Sequence, residues 1–196
     1  MKTRLLLVVP CFNEAKRFST KYWQSLASLR KDVDILFVDD GSTDSTSESL
    51  LDFSEKFGTK VHICQINGGK GEAVRAGFNH AISLGATEVG FCDADFAVDH
   101  HDLSRIFIKL NESPTMHGVI GSRNAVVGSV IERSALRHYS VRVFATLVSE
   151  VLKQKIYDTQ CGAKAFRVNY TIIKVFSMPF DSRRAFDVDF SAASIY

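Results

Sequence analysis

Two carboxylates one residue apart, Asp93 and Asp95, have the type and spacing of a site that could do chemistry. They follow the short apolar stretch 88–92, and alternate side chains of an extended chain point to the same face. We therefore expect both carboxylates to project together from the end of a buried strand. Oxygen ligands at such a place suit Mg²⁺ or Mn²⁺, and these ions usually also bind substrate phosphates. A solvated turn or a helix cap would give the same pattern, so the other motifs must distinguish these interpretations.

Three earlier runs, residues 5–10, 35–38 and 61–66, have the apolar character of buried strands, and Pro10 should end the first of them. Helical spacing of apolar residues predicts helices over 18–29, 72–84 and 103–110. A further helix should begin after a cap at Ser42 or Thr43. Strand and helix thus alternate four times within 120 residues, which predicts an α/β fold with a parallel sheet and helices on both faces. Further on, the pattern predicts strands at 119–121 and 163–168 and helices over 129–155, 169–176 and from 186 onward.

Polar clusters follow each of the four predicted strands. In parallel sheets of this kind, ligands bind beyond the carboxyl ends of the strands. The convergence of four such clusters at one sheet edge is far more specific than any one of them. The clusters are 10–14, 39–40, 67–70 and 93–95.

The chemistry of these clusters suits a nucleotide diphosphate sugar. Asp39 could accept a hydrogen bond from a base imide or a ribose hydroxyl, and Glu14 with the main chain near Pro10 would hold the same nucleoside. Lys70, in a glycine-rich turn, could meet a phosphate oxygen, while a metal on the two later aspartates would bridge the diphosphate. Taken singly, each motif could be only a turn, a cap or a solvated lysine.

Composition supports a soluble globular protein. The 196 residues are 45% hydrophobic and 23% charged, which fits one domain of ordinary size. No apolar run reaches the roughly 18 residues that span a bilayer, and we expect the four scattered cysteines to be reduced thiols of a cytoplasmic protein. No basic run is interleaved with aromatic residues, which argues against nucleic acid as a partner.

Charge is distributed unevenly along the chain. Residues 1–120 carry 13 basic and 16 acidic groups, whereas residues 121–196 carry 11 basic and 6 acidic groups. A basic second half suits an anionic substrate or an anionic membrane surface. Arg133 and Arg137 lie four residues apart and share a helical face, so we expect peripheral contact with the inner face of a membrane through that face.

Four motifs taken together resemble those of a family 2 glycosyltransferase of GT-A fold. The stretches 67–77, 121–123, 158–162 and 186–189 further resemble the dolichyl-phosphate glucosyltransferase and polyprenyl-phosphate glycosyltransferase branch. The four motifs are Val9-Pro10-Cys11-Phe12-Asn13-Glu14, Val38-Asp39-Asp40-Gly41-Ser42-Thr43-Asp44, Gly69-Lys70-Gly71 and Asp93-Ala94-Asp95.

This resemblance implies an inverting transfer of a glucose- or mannose-type sugar from a UDP- or GDP-sugar to a polyprenyl or dolichyl phosphate. The metal would be Mg²⁺ or Mn²⁺, held by Asp93 and Asp95. Arg123 and Arg137 would lie near the acceptor phosphate, joined by Arg133 on the same helical face. Asp158 would lie near the reacting centre, and Asp158 and Asp95 would be the catalytic residues. The nucleotide-sugar residues would be Pro10, Phe12, Glu14, Asp39, Lys70, Asp93, Ala94 and Asp95.

The chain departs from the family pattern at two points. Ala97 and Asp99 stand where relatives often carry Gln or Pro, which leaves a third metal ligand open, and Asp99 could instead cap the following helix. Relatives also continue past Tyr196, so we expect a single GT-A domain over 1–196 that lacks the family's C-terminal extension. The oligomeric state stays open.

Other functions remain open at this point. A transferase acting on a saccharide hydroxyl would use Asp158 as a base, and a shortened chain could bind a nucleotide sugar without turnover. A nucleotidyltransferase should carry a glycine- and arginine-rich loop after the first strand, which residues 10–17 lack. A phosphoacceptor domain could use Asp39 and Asp40 but would leave Asp93 and Asp95 without a role.

Overall fold

The computed structural model describes residues 4–29, 31–112, 114–121 and 162–179. The predicted helices over 129–155 and from residue 186 lie outside these ranges. The described strands are β1 Leu5–Cys11, β2 Val33–Asp39, β3 Lys60–Ile63, β4 Glu88–Cys92, β5 Gly118–Ile120 and β6 Ala163–Arg167. They form one sheet in the order β3-β2-β1-β4-β6-β5.

Helices follow most of these strands and cover both faces of the sheet. Strands β1, β2, β3 and β4 pair in parallel, and β6 pairs antiparallel with both β4 and β5. The predicted α/β class with a mostly parallel sheet is therefore confirmed. The described helices are α1 Thr20–Leu29, α2 Thr46–Phe57, α3 Lys70–Ser83, α4 His100–Glu112 and α5 Tyr170–Ser177.

Strand β1 lies in the middle of the sheet and is buried on both faces. Its alternate residues Leu5, Leu7 and Val9 pack on one side with α1, α2 and α4, in a core that contains Trp23. Leu6 and Val8 pack on the other side, in a core that α3 and α5 share. This double burial explains the unbroken apolar run that the sequence shows.

Pro10 does not end β1, contrary to our expectation, because the strand continues through Cys11. Pro10 pairs with Val38 of β2, while the register with β4 on the other side ends at Val8. The proline, which has no N–H, therefore lies where one of the two ladders has already ended.

Helix α2 begins at Thr46, later than the predicted caps at Ser42 and Thr43. Both of those residues instead bond to the loop after β1: Asn13 N donates to Ser42 Oγ at 2.9 Å, and Thr43 N donates to the Asn13 side-chain oxygen at 2.9 Å. These hydrogen bonds join the loops after β1 and β2 and do not cap the helix. Helix α3 begins earlier than predicted, at Lys70.

A buried carboxylate at the start of β4 joins this strand to β6 and α4. Glu88, at the start of β4, is 1% exposed and pairs with Arg167 of β6 at 3.3 Å. Arg167 also donates to the carbonyls of Met116 and Leu110, and the Asn111 amide, oriented to donate, reaches both Glu88 oxygens. This network joins β4, β6 and α4. Among the described residues, no helix has the length and apolar character needed to cross a membrane.

Candidate nucleotide-sugar site

Asp39 and Asp40 send their carboxylates to opposite faces of the sheet. Asp39, the last residue of β2, accepts hydrogen bonds from Ser42 N at 3.0 Å and from the Ser47 hydroxyl of α2, and it is fully buried. Asp40 points the other way, toward the start of α3. Adjacent residues of an extended chain diverge in this manner, so the two aspartates serve different loops.

Asp40 holds the glycine-rich turn that precedes α3. Its oxygens accept from Gly68 N at 2.9 Å and Gly69 N at 2.8 Å, and the side chain is 3% exposed. Burial raises the pKa of Asp40, and the two backbone N–H groups partly oppose that rise. Gly69 has φ +88°, a conformation that side chains rarely adopt. The turn therefore has a fixed shape, and the next residue, Lys70, begins the helix.

Lys70 lies against Asp93. Its ammonium nitrogen is 2.5 Å from Asp93 Oδ1 and 5.9 Å from the ring centre of Phe91. Asp93 N donates to the carbonyl of Gly162 at 3.0 Å, and a Cβ added at Gly162 would overlap Asp93 Oδ2. The structure thus brings Lys70 and Gly162 together around the Asp93 carboxylate.

The expectation that Asp93 and Asp95 project side by side from an extended strand is wrong. Strand β4 ends at Cys92, and the chain turns at residues 94–95. The turn sends the two carboxylates to different neighbours: Asp93 contacts Lys70, whereas Asp95 is exposed and accepts from Ala97 N at 3.1 Å. Ala94 between them is 8% exposed.

The loop that carries Asp95 is held by aromatic contacts. Phe96 adopts φ +60°, which is strained for a non-glycine residue, and its ring packs on Tyr22 with centroids 4.7 Å apart. The Tyr22 hydroxyl donates to the carbonyl of Val98 at 2.6 Å, and burial raises the pKa of that hydroxyl. Packing against α1 therefore fixes a backbone that the loop would not adopt alone.

Asp99 caps helix α4, as the alternative reading of this position predicted. Its carboxylate accepts from His101 N at 2.7 Å. Asp99, His100 and His101 also place three candidate ligand atoms within 4.8 Å of one another. The positive end of the helix dipole opposes a cation there, and the Asp99 carboxylate is already used by the cap, so this group is a weaker metal candidate than the aspartates before it.

The loop after β1 forms the other wall of the site. Asn13 has φ +53°, and Glu14 N and Ala15 N both donate to Thr46 Oγ1, at 2.8 and 3.0 Å. Glu14 is 9% exposed, and its Oε1 accepts from Arg17 at 2.5 Å. Its Oε2 is buried and has no hydrogen-bond partner among the described residues. A buried carboxylate oxygen without a donor is costly, which makes this atom a good acceptor for a ligand N–H or O–H.

The remaining predicted residues of this wall differ in exposure. Phe12 is 43% exposed and Pro10 is half-buried. Cys11 lies buried between them, and burial together with the nearby carboxylates of Glu14 and Asp39 raises the pKa of its thiol far above the ordinary value. This thiol is therefore protonated and inert, as expected for a reduced core cysteine.

Four predicted site residues, Asp158, Arg123, Arg133 and Arg137, lie outside the described residues, and their roles remain predictions. Sequence reasoning assigned no site role to Asp40, Gly162 or Lys164, although the first two lie in the predicted stretches 39–40 and 158–162. Asp40 could have been found from strand alternation, since its neighbour Asp39 already faces the other way. Lys164, fully buried with its ammonium 5.1 Å from the ring centre of Phe91, gave no signal because the partner strand of β6 was not predicted.

Comparison with known proteins identifies the family of the chain. Residues 6–172 match Glycosyl transferase family 2. The chain is 32% identical to dolichyl-phosphate beta-glucosyltransferase of Homo sapiens over 202 residues, which is 95% of this chain and 61% of the human protein. It is also 32% identical to the Saccharomyces cerevisiae protein of that name, covering 94% of this chain and 60% of the yeast protein. The chain thus spans about three fifths of the length of these relatives.

Solved structures share the fold. Glucosyl-3-phosphoglycerate synthase from Mycobacterium tuberculosis, in complex with Mn²⁺, UDP and glucosyl-3-phosphoglycerate, superposes with a TM-score of 0.66 at 16% identity, over 96% of this chain and 64% of that one. S. aureus TarS 1-349 in complex with UDP gives 0.63 at 20% identity, over 96% and 54%. With two thirds or more of its length matched to one family and the predicted fold confirmed, this chain belongs to glycosyltransferase family 2.

Proposed function

We propose that this chain transfers a glucose- or mannose-type sugar from a UDP- or GDP-sugar to a polyprenyl or dolichyl phosphate, with inversion at the sugar carbon. The observation that carries the proposal is the convergence of Glu14, Asp39, Lys70, Asp93 and Asp95 at the carboxyl edge of one parallel sheet. The names of the 32% identical relatives support dolichyl phosphate as the acceptor and glucose as the sugar.

The nucleoside end of the site is the wall formed by residues 10–14 and 39–42. Glu14 Oε2 offers a buried acceptor that lacks a donor in the part of the chain that the structure describes. Asp39 is covered by Ser42 and Ser47, so its part in recognition is indirect, through the Ser42 main chain that it holds. Phe12, which is half-exposed, supplies an apolar surface for a base.

The diphosphate end is the region around Lys70, Asp93 and Asp95. Carboxylate oxygens are the ligands that Mg²⁺ and Mn²⁺ prefer. Asp93 and Asp95 would hold such an ion once Lys70 shifts from Asp93 and the exposed Asp95 side chain turns toward it. A bound ion would stabilise the negative charge of the departing nucleoside diphosphate. Lys70 places a second positive charge at the same point, where it can hold phosphate oxygens.

A phosphate acceptor needs cations to hold it, because it is already largely ionised near neutral pH with a second pKa of about 6. Arg123, Arg133 and Arg137 are our candidates, since the guanidinium fork suits phosphate oxygens. Asp158 is the candidate for orienting the acceptor. We place the enzyme at the cytoplasmic face of a membrane, where its basic second half would meet anionic lipid.

The decisive experiment supplies purified protein with UDP-glucose or GDP-mannose, Mn²⁺ or Mg²⁺, and a short-chain polyprenyl phosphate, and detects the glycosylated lipid by mass spectrometry. Asp95→Asn should abolish metal-dependent product. Arg137→Ala should raise the acceptor KM or lower kcat while donor binding stays near normal. The matched control is Arg105→Ala, on the exposed face of α4.

Each other outcome has a distinct meaning. Transfer to a simple alcohol but never to the lipid phosphate would favour the saccharide-hydroxyl alternative, in which Asp158 acts as a base. Nucleotide-sugar binding without any turnover would favour a binding protein. The shared sheet of all described strands supports one domain over residues 1–196 as the unit to test.

A further inference from the structure

We propose that Lys70 is a resident counter-ion of Asp93 and that its charge keeps a divalent metal from binding before the nucleotide sugar. Asp93 in turn positions Lys70 for the donor diphosphate. The inference rests on the proposed function and assigns an order to the events at its diphosphate end. Asp95 is then the carboxylate that first offers an oxygen to the metal.

The position of the Lys70 backbone is fixed by the turn that precedes it. The turn before it is fastened by the two hydrogen bonds from Gly68 N and Gly69 N to the buried Asp40 carboxylate. Because Lys70 is the first residue of α3, its Cα cannot move without breaking this turn. The ammonium group can still move, since the side chain is 40% exposed.

The Asp93 carboxylate has little room to rotate. Lys70 lies 2.5 Å from Oδ1, and the Gly162 backbone lies so close to Oδ2 that a single added carbon would overlap it. The Asp93 N–H is also tied to the Gly162 carbonyl at 3.0 Å. A metal ion that is to reach Asp93 must therefore displace the ammonium group rather than wait for the carboxylate to swing out.

Charge then determines the order of binding. A divalent ion arriving alone meets a carboxylate already neutralised by an ammonium group, and repulsion from that ammonium weakens its binding. A diphosphate offers the ammonium new anionic partners, so Lys70 can move from Asp93 to a phosphate oxygen as the metal arrives with the nucleotide. Removing the Lys70 charge should thus have opposite effects on the two ligands.

The test compares Lys70→Gln with the parent protein in two titrations that need no turnover. Mn²⁺ alone, followed by electron paramagnetic resonance of the unbound ion, should bind about two- to fivefold more tightly to the variant, as expected for loss of a half-exposed charge neighbour. UDP in saturating Mn²⁺, followed by calorimetry, should bind about ten- to hundredfold more weakly, as expected for a lost charge-assisted hydrogen bond.

Two controls accompany these titrations. Lys70→Arg keeps the positive charge and should leave Mn²⁺ affinity near the parent value. Lys109→Gln removes an ammonium that pairs with Glu112 at 3.2 Å on the exposed face of α4, and it should change neither titration. Thermal unfolding of each variant verifies that the fold is intact.

Unchanged or weaker Mn²⁺ binding by a folded Lys70→Gln variant would overturn the counter-ion role. Unchanged UDP affinity would overturn the diphosphate role. Failure of the proposed function would look different, because the parent protein itself would then bind no nucleotide and transfer no sugar. The titration with Mn²⁺ alone would still test the ion pair in that case.

Discussion

Asp40→Ala is the substitution that best separates the architecture of this site from its chemistry. Asp40 is 3% exposed and accepts from two main-chain N–H groups at 2.9 and 2.8 Å. Hydrogen bonds to charged groups contribute about 1.5–3 kcal/mol each, so losing both costs roughly 3–6 kcal/mol. Removing a carboxylate whose pKa is raised by burial returns part of that cost, which leaves an expected loss near 3 kcal/mol in the free energy of unfolding.

Urea unfolding followed by circular dichroism measures this loss. With an m-value of about 2–3 kcal/mol/M for a chain of this size, the midpoint should fall by about 1 M. Loss of the turn should also release Lys70 from its position, so UDP affinity should fall even under conditions in which the variant stays folded. Asp52→Ala, an exposed carboxylate of α2, is the control and should move neither quantity.

A midpoint within about 0.2 M of the parent would refute the argument that these two bonds fasten the turn. A lower midpoint with unchanged UDP affinity would show that the turn stabilises the fold but does not position Lys70. The two measurements therefore examine two links of the argument separately.

Three further substitutions test other parts of the structure. Gly162→Ala should push the Asp93 carboxylate aside, cost about 1 kcal/mol of stability and weaken UDP binding. The control Gly118→Ala, whose added carbon overlaps a phenylalanine ring in the same sheet, should lower stability without changing UDP binding, and equal UDP affinities for the two variants would contradict this. Glu88→Ala removes a buried partner of an arginine and should cost about 3–5 kcal/mol in urea unfolding, with a loss below about 1 kcal/mol counting against the network. The pKa of His80 is lowered by burial and by a neighbouring imidazole, so the unfolded chain binds the proton first as the pH falls below about 6.5, and stability is lost. His80→Gln should reduce this loss when urea unfolding is compared at about pH 7.5 and about pH 5.5. A loss of the same size in the variant would assign it to other groups.

The fold could be predicted because β1 and β2 are buried on both faces, which leaves a continuous apolar signal in the sequence. The α/β alternation then determines which ends of the strands meet. The place of β6 could not be predicted, because residues 163–168 give no local sign of which strand they pair with or in which direction. Its insertion between β4 and β5 is a tertiary property.

Within the site, residue types were predicted better than their partners. Asp93 and Asp95 lie at the predicted strand end, but they do not share a face as alternate residues of an extended chain would, because the chain turns immediately after Cys92. The contact of Lys70 with Asp93 follows from the length of the turn that precedes α3, which spacing alone does not reveal. Ser42 and Thr43 were identified as capping residues, but both bond to Asn13 instead. The Ser42 hydroxyl oxygen accepts from the Asn13 N–H, and the Thr43 N–H donates to the Asn13 side-chain oxygen.

The bonds between the loops after β1 and β2 have a consequence for the kinetics of binding. Asn13, Ser42, Thr43 and Thr46 tie these loops together through four hydrogen bonds of 2.8–3.0 Å. A wall that is already ordered loses little conformational entropy when a nucleoside docks. We therefore expect the nucleoside half of the donor to associate rapidly, with its affinity set chiefly by the dissociation rate, while slower rearrangement is confined to the diphosphate half where Lys70 must change partners.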